Sequence, residues 1–326
     1  ATTNLSVELG SVGTGIAIIQ AESKRPYRGH PHEKMLARTY LGLAYLQQGK
    51  HEDARIEFAK AREEHRGKKA GQDTDFTTGH FLEGLNSLRD QRYNDAQVSF
   101  RKVTELKQEW ALGWYALCRA SELARDESEA SGAWTRYEAL TPAEARLARD
   151  GSTPCVLFLV ESGWGPVRKP DEVIEELGAW GAAESPPLHI ALGPVGQPKV
   201  DAPSLDDLYF QASTAGGTSG EAARKVVSSA AKGLVRNLPF VGRHLASKNE
   251  VDLRCWASSP GMMHVAAIPL PAQPTSVELI CTGKSGRPVG ANHQVFHYLR
   301  GRPFGEAPLV YARVLPNAGA RATLHG

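Results

Sequence analysis

The sequence predicts a multidomain α + β fold, in which an N-terminal α-solenoid of three helical repeats precedes a β-sandwich-like domain with one inserted helix. Two observations predict this division. Apolar side chains recur at helical spacing through residues 35–150, whereas short apolar runs separated by glycine and proline fill residues 151–326. At 326 residues the chain is longer than one core of typical size requires, so we expect two domains preceded by an arm and entry loop at residues 1–34.

One pattern of side chains recurs three times in the first half. Its members are spaced by +4 and +7 residues and share one phase: Ala54, Phe58 and Ala61; Ala96, Phe100 and Val103; Ala130, Trp134 and Tyr137. The second step is 34 residues, the tetratricopeptide period, and the first is 42, the same period plus a polar insertion near residues 66–72. The repeats, each read as two helices, therefore begin near Met35, Thr77 and Ala111. The pattern resembles tetratricopeptide repeats, because three unrelated hairpins would share the phase only by chance.

The first helix of each pair lines the concave face in repeats of this type, where an extended segment or a helix of a partner is expected to lie. Seven side chains fall on that face: Thr39, Leu43, Phe81, Leu85, Arg89, Tyr115 and Arg119. Phe81 and Tyr115 are equally compatible with the core of the stack. Three repeats also make a shallow groove, which the N-terminal arm or the β-domain of the same chain could fill. We expect replacement of Tyr115 and Arg119 to abolish partner binding without unfolding the protein.

The second half reads as β-structure after a break at residues 151–154. The run at residues 155–160 (CVLFLV) has the length and branching of a buried strand. Further short strands are predicted at residues 188–192, 276–281, 294–299 and 309–314. Connectors rich in proline and glycine suit antiparallel turns, so we expect a sandwich of immunoglobulin or transthyretin type over the final hundred residues.

An amphipathic helix is predicted at residues 221–238, where Pro239 ends it. Its basic side suits either a membrane surface or solvent. We favour packing of its Ala- and Ser-rich side on the sheet, because helices that seek a membrane surface usually carry bulky anchors.

Composition excludes two classes of partner. The net charge is +2, from 38 basic and 36 acidic side chains, without the clustered excess of lysine and arginine that gathers nucleic acid. No run approaches the ~20 apolar residues of a membrane-spanning helix. Residues 1–20 also lack the basic and apolar regions of a signal peptide, so we expect any secretion signal to have been removed.

The cysteines and histidines predict no metal site, and no cofactor is expected. The four cysteines form no C-x-x-C pair, and His30 and His32 stand in a turn-rich loop without a third ligand. Cys118 takes a small-residue packing position in the third repeat and is expected to be a buried free thiol. The other three cysteines lie on predicted strands, and in an oxidising compartment two of them could pair, in a combination that the sequence leaves open.

Three groups of segments carry a resemblance to a known family: Tyr27-Arg28-Gly29 with Glu33-Lys34, residues 155–166, and residues 252–256 with 268–271. They resemble an uncharacterised family of bacterial cell-envelope proteins that combine tetratricopeptide repeats with a β-rich C-terminal domain. The similarity spans most of residues 27–300. It implies a location in the periplasm or the outer-membrane-associated envelope, with the cytoplasm as the alternative.

Members of that family are typically predicted lipoproteins, and some are associated with genes for activators of peptidoglycan synthases. The resemblance therefore implies protein partners in envelope assembly or peptidoglycan synthesis. This sequence departs from the family in one respect, because it shows no lipid-accepting cysteine at its start. Contact with a membrane is expected only through a lost lipid anchor.

The sequence predicts a non-catalytic scaffold or adaptor that binds one partner through the repeat groove and another through the β-domain. Residues 160–165 lack the first glycine of a nucleophile elbow, and residues 216–220 lack the Gly-Lys-Ser/Thr of a phosphate loop. The alternative is a hydrolase or carbohydrate-binding module in the β-domain, suggested by Trp164, Trp180 and Trp256. An apolar cleft with paired carboxylates or a Ser–His contact would favour that alternative.

Overall fold

The computed structural model describes residues 27, 29–65, 75–170, 178–181, 189–214, 255–256, 258–283 and 288–315. Three sequence features lie outside these residues: most of the predicted N-terminal arm, the glycine-rich loop at 216–220, and the predicted helix at 221–238.

The first part of the described chain contains six consecutive helices: α1 (Pro31–Gln47), α2 (His51–His65), α3 (Thr77–Arg89), α4 (Tyr93–Leu106), α5 (Ala111–Leu123) and α6 (Glu127–Leu140). The turns within each pair are three residues long and the paired helices pack on each other, so each pair is an antiparallel hairpin. The predicted helical repeat is confirmed. Helices α3 and α5 begin at the predicted Thr77 and Ala111, whereas α1 begins at Pro31, four residues before Met35.

Close packing of a glycine against a phenylalanine explains the shared phase. A Cβ atom added to Gly42 would lie 2.5 Å from a ring carbon of Phe58, and one added to Gly84 would lie 2.6 Å from the same atom of Phe100. The missing side chain on the first helix therefore makes room for the ring on the second. Cys118 stands at the corresponding position of the third pair and is buried.

The second part contains ten strands and a short helix among its described residues: β1 (Cys155–Trp164), β2 (Val167–Pro170), β3 (Gly178–Gly181), β4 (His189–Pro194), β5 (Val200–Ala202), β6 (Ser204–Asp207), α7 (Leu208–Thr214), β7 (Pro260–Pro269), β8 (Thr275–Thr282), β9 (Pro288–Leu299) and β10 (Leu309–Val314). Sheet I has the order β10-β1-β7-β6, and sheet II has the order β5-β4-β8-β9. Strands β2 and β3 form a separate pair. Strand β10 runs parallel to β1, which departs from the expected antiparallel pairing.

Strand β1 lies between two hydrophobic layers. Val156, Phe158 and Val160 join a cluster that includes side chains of both sheets. The alternate residues Leu157 and Leu159 join a second cluster with the helices. Sheet I is therefore covered by sheet II on one face and by the helical repeats on the other, and one hydrophobic core crosses the predicted domain boundary at residue 150. The specific type of sandwich stays a prediction.

All four cysteines are free thiols, including the three placed on strands by the sequence. Burial raises the pKa of Cys118 to about 11 and that of Cys155 to about 12, which disfavours their reactive thiolate form. Over the described ranges, no group of three or more His, Cys, Asp and Glu side chains is placed to hold a metal ion. No described helix is long and apolar enough to cross a bilayer.

Candidate partner-binding site

The concave face of the repeats is occupied by the same chain. Phe81 and Leu85 of α3 share one hydrophobic cluster with Leu157 of β1 and Met263 and Val265 of β7. These strand residues all belong to sheet I and point to the same side of it. The β-region therefore fills most of the groove that was expected to hold a partner.

A buried carboxylate joins sheet I to the start of α3. Asp206 of β6 accepts hydrogen bonds from the backbone N–H of Thr77 at 3.0 Å and of Thr78 at 2.7 Å, and from the Thr78 hydroxyl at 2.6 Å. The residue at the N-cap position of α3 is Phe76, whose side chain cannot accept a hydrogen bond. Asp206 thus caps a helix from which it is separated by 128 residues. Burial raises the pKa of its carboxyl, against the effect of these hydrogen bonds.

A second buried carboxylate lies between α1 and sheet I. Glu161 of β1 has no exposed surface and accepts hydrogen bonds from the Tyr40 hydroxyl at 2.5 Å and the Tyr311 hydroxyl at 2.6 Å. The Nη1 atom of Arg313 lies 3.7 Å from the same carboxylate. Burial raises the pKa of Glu161, and burial together with this carboxylate raises the pKa of both tyrosines far above their ordinary value. The tyrosines therefore act as hydrogen-bond donors at every ordinary pH.

The segments that carry the family resemblance converge on this interface. Glu33 accepts hydrogen bonds from the hydroxyl of Tyr27 and, at 2.6 Å, from the backbone N–H of Trp256. The Trp256 ring meets the Tyr40 ring edge to face, with centroids 5.9 Å apart. Tyr40 in turn donates to Glu161. Segments that are far apart in the sequence thus form one continuous polar and aromatic network.

The turn at Phe304–Glu306 holds the other end of the groove. Its Phe304 ring packs edge to face on Tyr115, with centroids 5.1 Å apart. An Nη atom of Arg89 donates to the carbonyl of Ala307 at 2.5 Å. Arg119 donates to the carbonyl of Arg149 at 2.8 Å and pairs with Glu122.

The seven predicted partner-binding residues divide into two groups. Thr39, Phe81, Leu85 and Tyr115 are fully buried inside the chain and present no surface to a partner. Truncation of Tyr115 is therefore expected to destabilise the fold rather than to remove a partner selectively, because large buried aromatics cost about 3–5 kcal/mol when cut to alanine. Leu43, Arg89 and Arg119 instead line cavities that reach the surface. Partner binding by all seven stays a prediction.

Two adjoining cavities remain between the inner helices and the chain from Pro303 to Arg313. The larger, about 530 Å³, lies where α1, α3 and α5 end, and is lined by Arg89, Arg119 and the turn at Phe304. The smaller, about 310 Å³, is lined by Tyr40, Leu43, Ala44, Gln47, Leu159, Leu309, Tyr311 and Arg313. Gln47 lines both cavities, so they adjoin. Together they are called the furrow, and they form the part of the concave face that sheet I leaves uncovered.

A serine and a histidine meet on the opposite face of sheet I. The Ser162 hydroxyl lies 2.8 Å from Nε2 of His264, and Nδ1 of His264 lies 2.9 Å from the carbonyl of Ala202. Because a carbonyl only accepts, Nδ1 carries the proton and Nε2 accepts from Ser162. The two side chains are 2% and 1% exposed, and the group that orients the histidine is a carbonyl rather than a carboxylate. Burial lowers the pKa of His264 to about 4.

The tryptophans that suggested a carbohydrate site are placed differently from one another. Trp164 is partly exposed at the end of β1, whereas Trp256 packs against Tyr40 in the interface between the helices and sheet I. The side chain of Trp180 lies outside the described residues.

Sequence reasoning missed the polar residues of the interface. Glu161 directly follows the apolar run of β1, and a carboxylate at the end of a strand covered on both faces signals a buried partner. Asp206 gave no comparable signal, because its contacts are formed with residues more than a hundred positions away.

No protein-family model matches the chain, and no curated protein matches it. Two solved structures are similar to part of it. One is the first TPR of Spaghetti (RPAP3) bound to the HSP90 peptide SRMEEVD, at 16% identity and a TM-score of 0.31, covering 36% of this chain and 86% of that chain. The other is a MamA mutant, at 19% identity and a TM-score of 0.29, covering 42% of this chain and 90% of that chain. Both TM-scores lie below 0.5, and no property of those proteins is carried over.

Proposed function

We propose that this chain is a non-catalytic interaction scaffold of the bacterial cell envelope that binds an extended segment of a partner protein in the furrow. The observation that carries the proposal is the furrow itself, an open channel on the concave face lined by three of the residues expected to contact a partner. Its mixed lining of aliphatic, aromatic and arginine side chains suits recognition of a peptide segment.

The walls of the furrow are fixed before a partner arrives. Helix α3 is held to sheet I at its start by Asp206 and at its end by the bond from Arg89 to Ala307. Helix α1 is held by the bond from Tyr40 to Glu161. A preformed site loses less conformational entropy on binding than one that must be ordered, so it binds a flexible segment more tightly.

The family resemblance supports a place in the periplasm or at the outer membrane, with partners in envelope assembly or peptidoglycan synthesis. A second partner is proposed to meet the β-domain at sheet II. There Tyr298 is 84% exposed and has a φ of 61°, a left-handed conformation that is uncommon for a residue other than glycine. Strained, exposed aromatic residues are frequent at binding surfaces.

Site-specific photocrosslinking in the native cell, with the envelope fraction kept intact, tests the proposal. A photoreactive residue replaces Gln47, which lines both cavities, and a control replaces Ala37, which is exposed on α1 outside the furrow. We expect a protein crosslinked at position 47 only, and we expect the added substitution Ala44→Trp, which fills the mouth of the smaller cavity, to remove it. Equal crosslinking at both positions, or capture insensitive to Ala44→Trp, contradicts the furrow. Recovery of the chain in the cytoplasmic fraction contradicts the envelope location.

The contact between Ser162 and His264 favours a second candidate function, hydrolysis of an acyl bond in the β-domain. The proton arrangement suits a general base, since Nε2 accepts from the serine hydroxyl. Burial of both side chains opposes this function, because a substrate could reach the serine only if the sheets opened. Labelling with a fluorophosphonate probe decides between the candidates. Labelling that is lost in Ser162→Ala supports hydrolysis, and an unlabelled protein removes it from consideration.

A further inference from the structure

Strand β10 is an edge of sheet I. Among the described strands it pairs only with β1, so the backbone groups on its other side have no strand partner. The carbonyl of Arg313 faces that side, because it accepts a hydrogen bond from the side chain of Gln294 at 3.2 Å. Backbone groups alternate along a strand, so those of Tyr311 and Leu309 face the same side. This edge is a template for one more strand.

The smaller cavity of the furrow lies beside this edge. The side chains of Leu309, Tyr311 and Arg313 point toward α1, and all three line the cavity. Leu43 and Leu159, which are buried, complete its apolar floor. A strand added to β10 would therefore place alternate side chains toward this cavity, which is large enough for an apolar side chain at about 310 Å³.

Arg313 supplies a donor at the same place. One Nη atom donates to the carbonyl of Ser258, the other lies 3.7 Å from Glu161, and Nε is buried without a hydrogen-bond partner among the described residues. A buried unpaired donor costs free energy that an acceptor on a ligand would recover. The rest of the furrow favours negative charge as well, since Arg89 and Arg119 line the larger cavity.

We propose that β10 binds an extended segment of a partner protein as an additional strand, with an apolar side chain in the smaller cavity and a carboxylate against Arg313. The inference rests on the proposed function and specifies the chemistry of its partner. Main-chain hydrogen bonds to the edge would give affinity, and the cavity and the arginine would give specificity.

A fluorescein-labelled peptide, Thr-Val-Thr-Leu-Thr-Glu with a C-terminal amide, tests the inference by fluorescence anisotropy on the full chain. Two further peptides carry an N-methyl group on successive backbone amides. Alternate amides of an added strand point toward β10, so one methylated peptide should bind like the parent and the other about tenfold more weakly. Equal binding of the two methylated peptides overturns strand addition. Absence of binding by the parent peptide up to about 1 mM overturns it as well.

Protein variants locate the site and identify the charged group. Ala44→Trp should weaken peptide binding at least tenfold, whereas the matched control Ala37→Trp on the exposed side of α1 should leave it unchanged. Equal weakening by both variants overturns the placement. Replacing the peptide glutamate by glutamine should weaken binding, and a free C-terminal carboxylate on that glutamine peptide shows whether either carboxylate serves. Binding indifferent to all carboxylates removes the role of Arg313. Failure of the peptides while crosslinking at position 47 still succeeds overturns the added strand and leaves the proposed function standing.

Discussion

Replacement of Asp206 by alanine tests the inference that the β-region holds the repeats together. The change removes the acceptor for three hydrogen bonds at the start of α3, from two backbone N–H groups and one hydroxyl. All the residues concerned are buried, so water cannot replace the lost acceptor. The side chain at the cap position, Phe76, offers no substitute.

The expected loss follows from the number and kind of these bonds. Removing an exposed helix cap costs about 0.5–2 kcal/mol. Leaving a buried donor unsatisfied costs about 1–3 kcal/mol, and this site has three donors, although relief of the buried charge returns part of the loss. We expect Asp206→Ala to lower the free energy of unfolding by about 3 kcal/mol and Asp206→Asn, which keeps one acceptor, by about half as much.

Urea unfolding followed by circular dichroism measures these differences. Asp201→Ala, an exposed acidic position nearby in the sequence, serves as the matched control and should change stability by less than about 0.5 kcal/mol. The double variant with Thr78→Val should lose less than the sum of the two single losses, because both remove the same bond. A loss at Asp206 no larger than that of the control would refute the reasoning, since it would show that the cap from β6 does not stabilise α3.

Two further predictions concern packing and pH. Gly84→Ala should destabilise by about 1–3 kcal/mol because its Cβ would lie 2.6 Å from Phe100, whereas Gly132→Ala, with open space around it, should stabilise by up to about 1 kcal/mol. Thermal unfolding of the two variants checks the contrast, which equal shifts would contradict. His264 has a folded pKa of about 4, below its ordinary value of 6.5, so the unfolded state binds the extra proton and stability should fall by up to about 3 kcal/mol as the pH drops from 6.5 to 4. His264→Gln should flatten that pH dependence in urea unfolding, and an unchanged profile would show that other groups dominate.

The helical half could be predicted from the sequence because its signal is local. The spacing of Ala54, Phe58 and Ala61 recurs in phase, and the structure buries these residues and their equivalents at Ala96, Phe100 and Val103. The starts of α3 and α5 were predicted to the residue. The start of α1 was not, because the proline at position 31 begins that helix one turn before the first residue of the apolar pattern.

The occupant of the groove could not be predicted with the same certainty, because it depends on contacts between distant segments. One signal was present, however. The run at residues 155–160 is apolar at every position, and a strand with two apolar faces needs a covering layer on each of them. Sheet II covers one face, so the repeats were the available cover for the other. The exact partners of Asp206 and Glu161 remained beyond reach, since a single charged residue carries no information about the register of the element that meets it.

The two buried carboxylates explain how an apolar interface specifies one arrangement. Burial of leucine and phenylalanine between the helices and sheet I is favourable but non-directional, so it would tolerate a shift of α3 along the sheet. Asp206 fixes the start of that helix, whereas Arg89 at its end both donates to Ala307 and lines the furrow. Thirteen residues of helix, about 20 Å at the usual rise, connect the two points as a rigid element. Loosening the cap should therefore displace a wall of the furrow without touching any residue that lines it, so partner binding and the docking of the β-region depend on the same contacts.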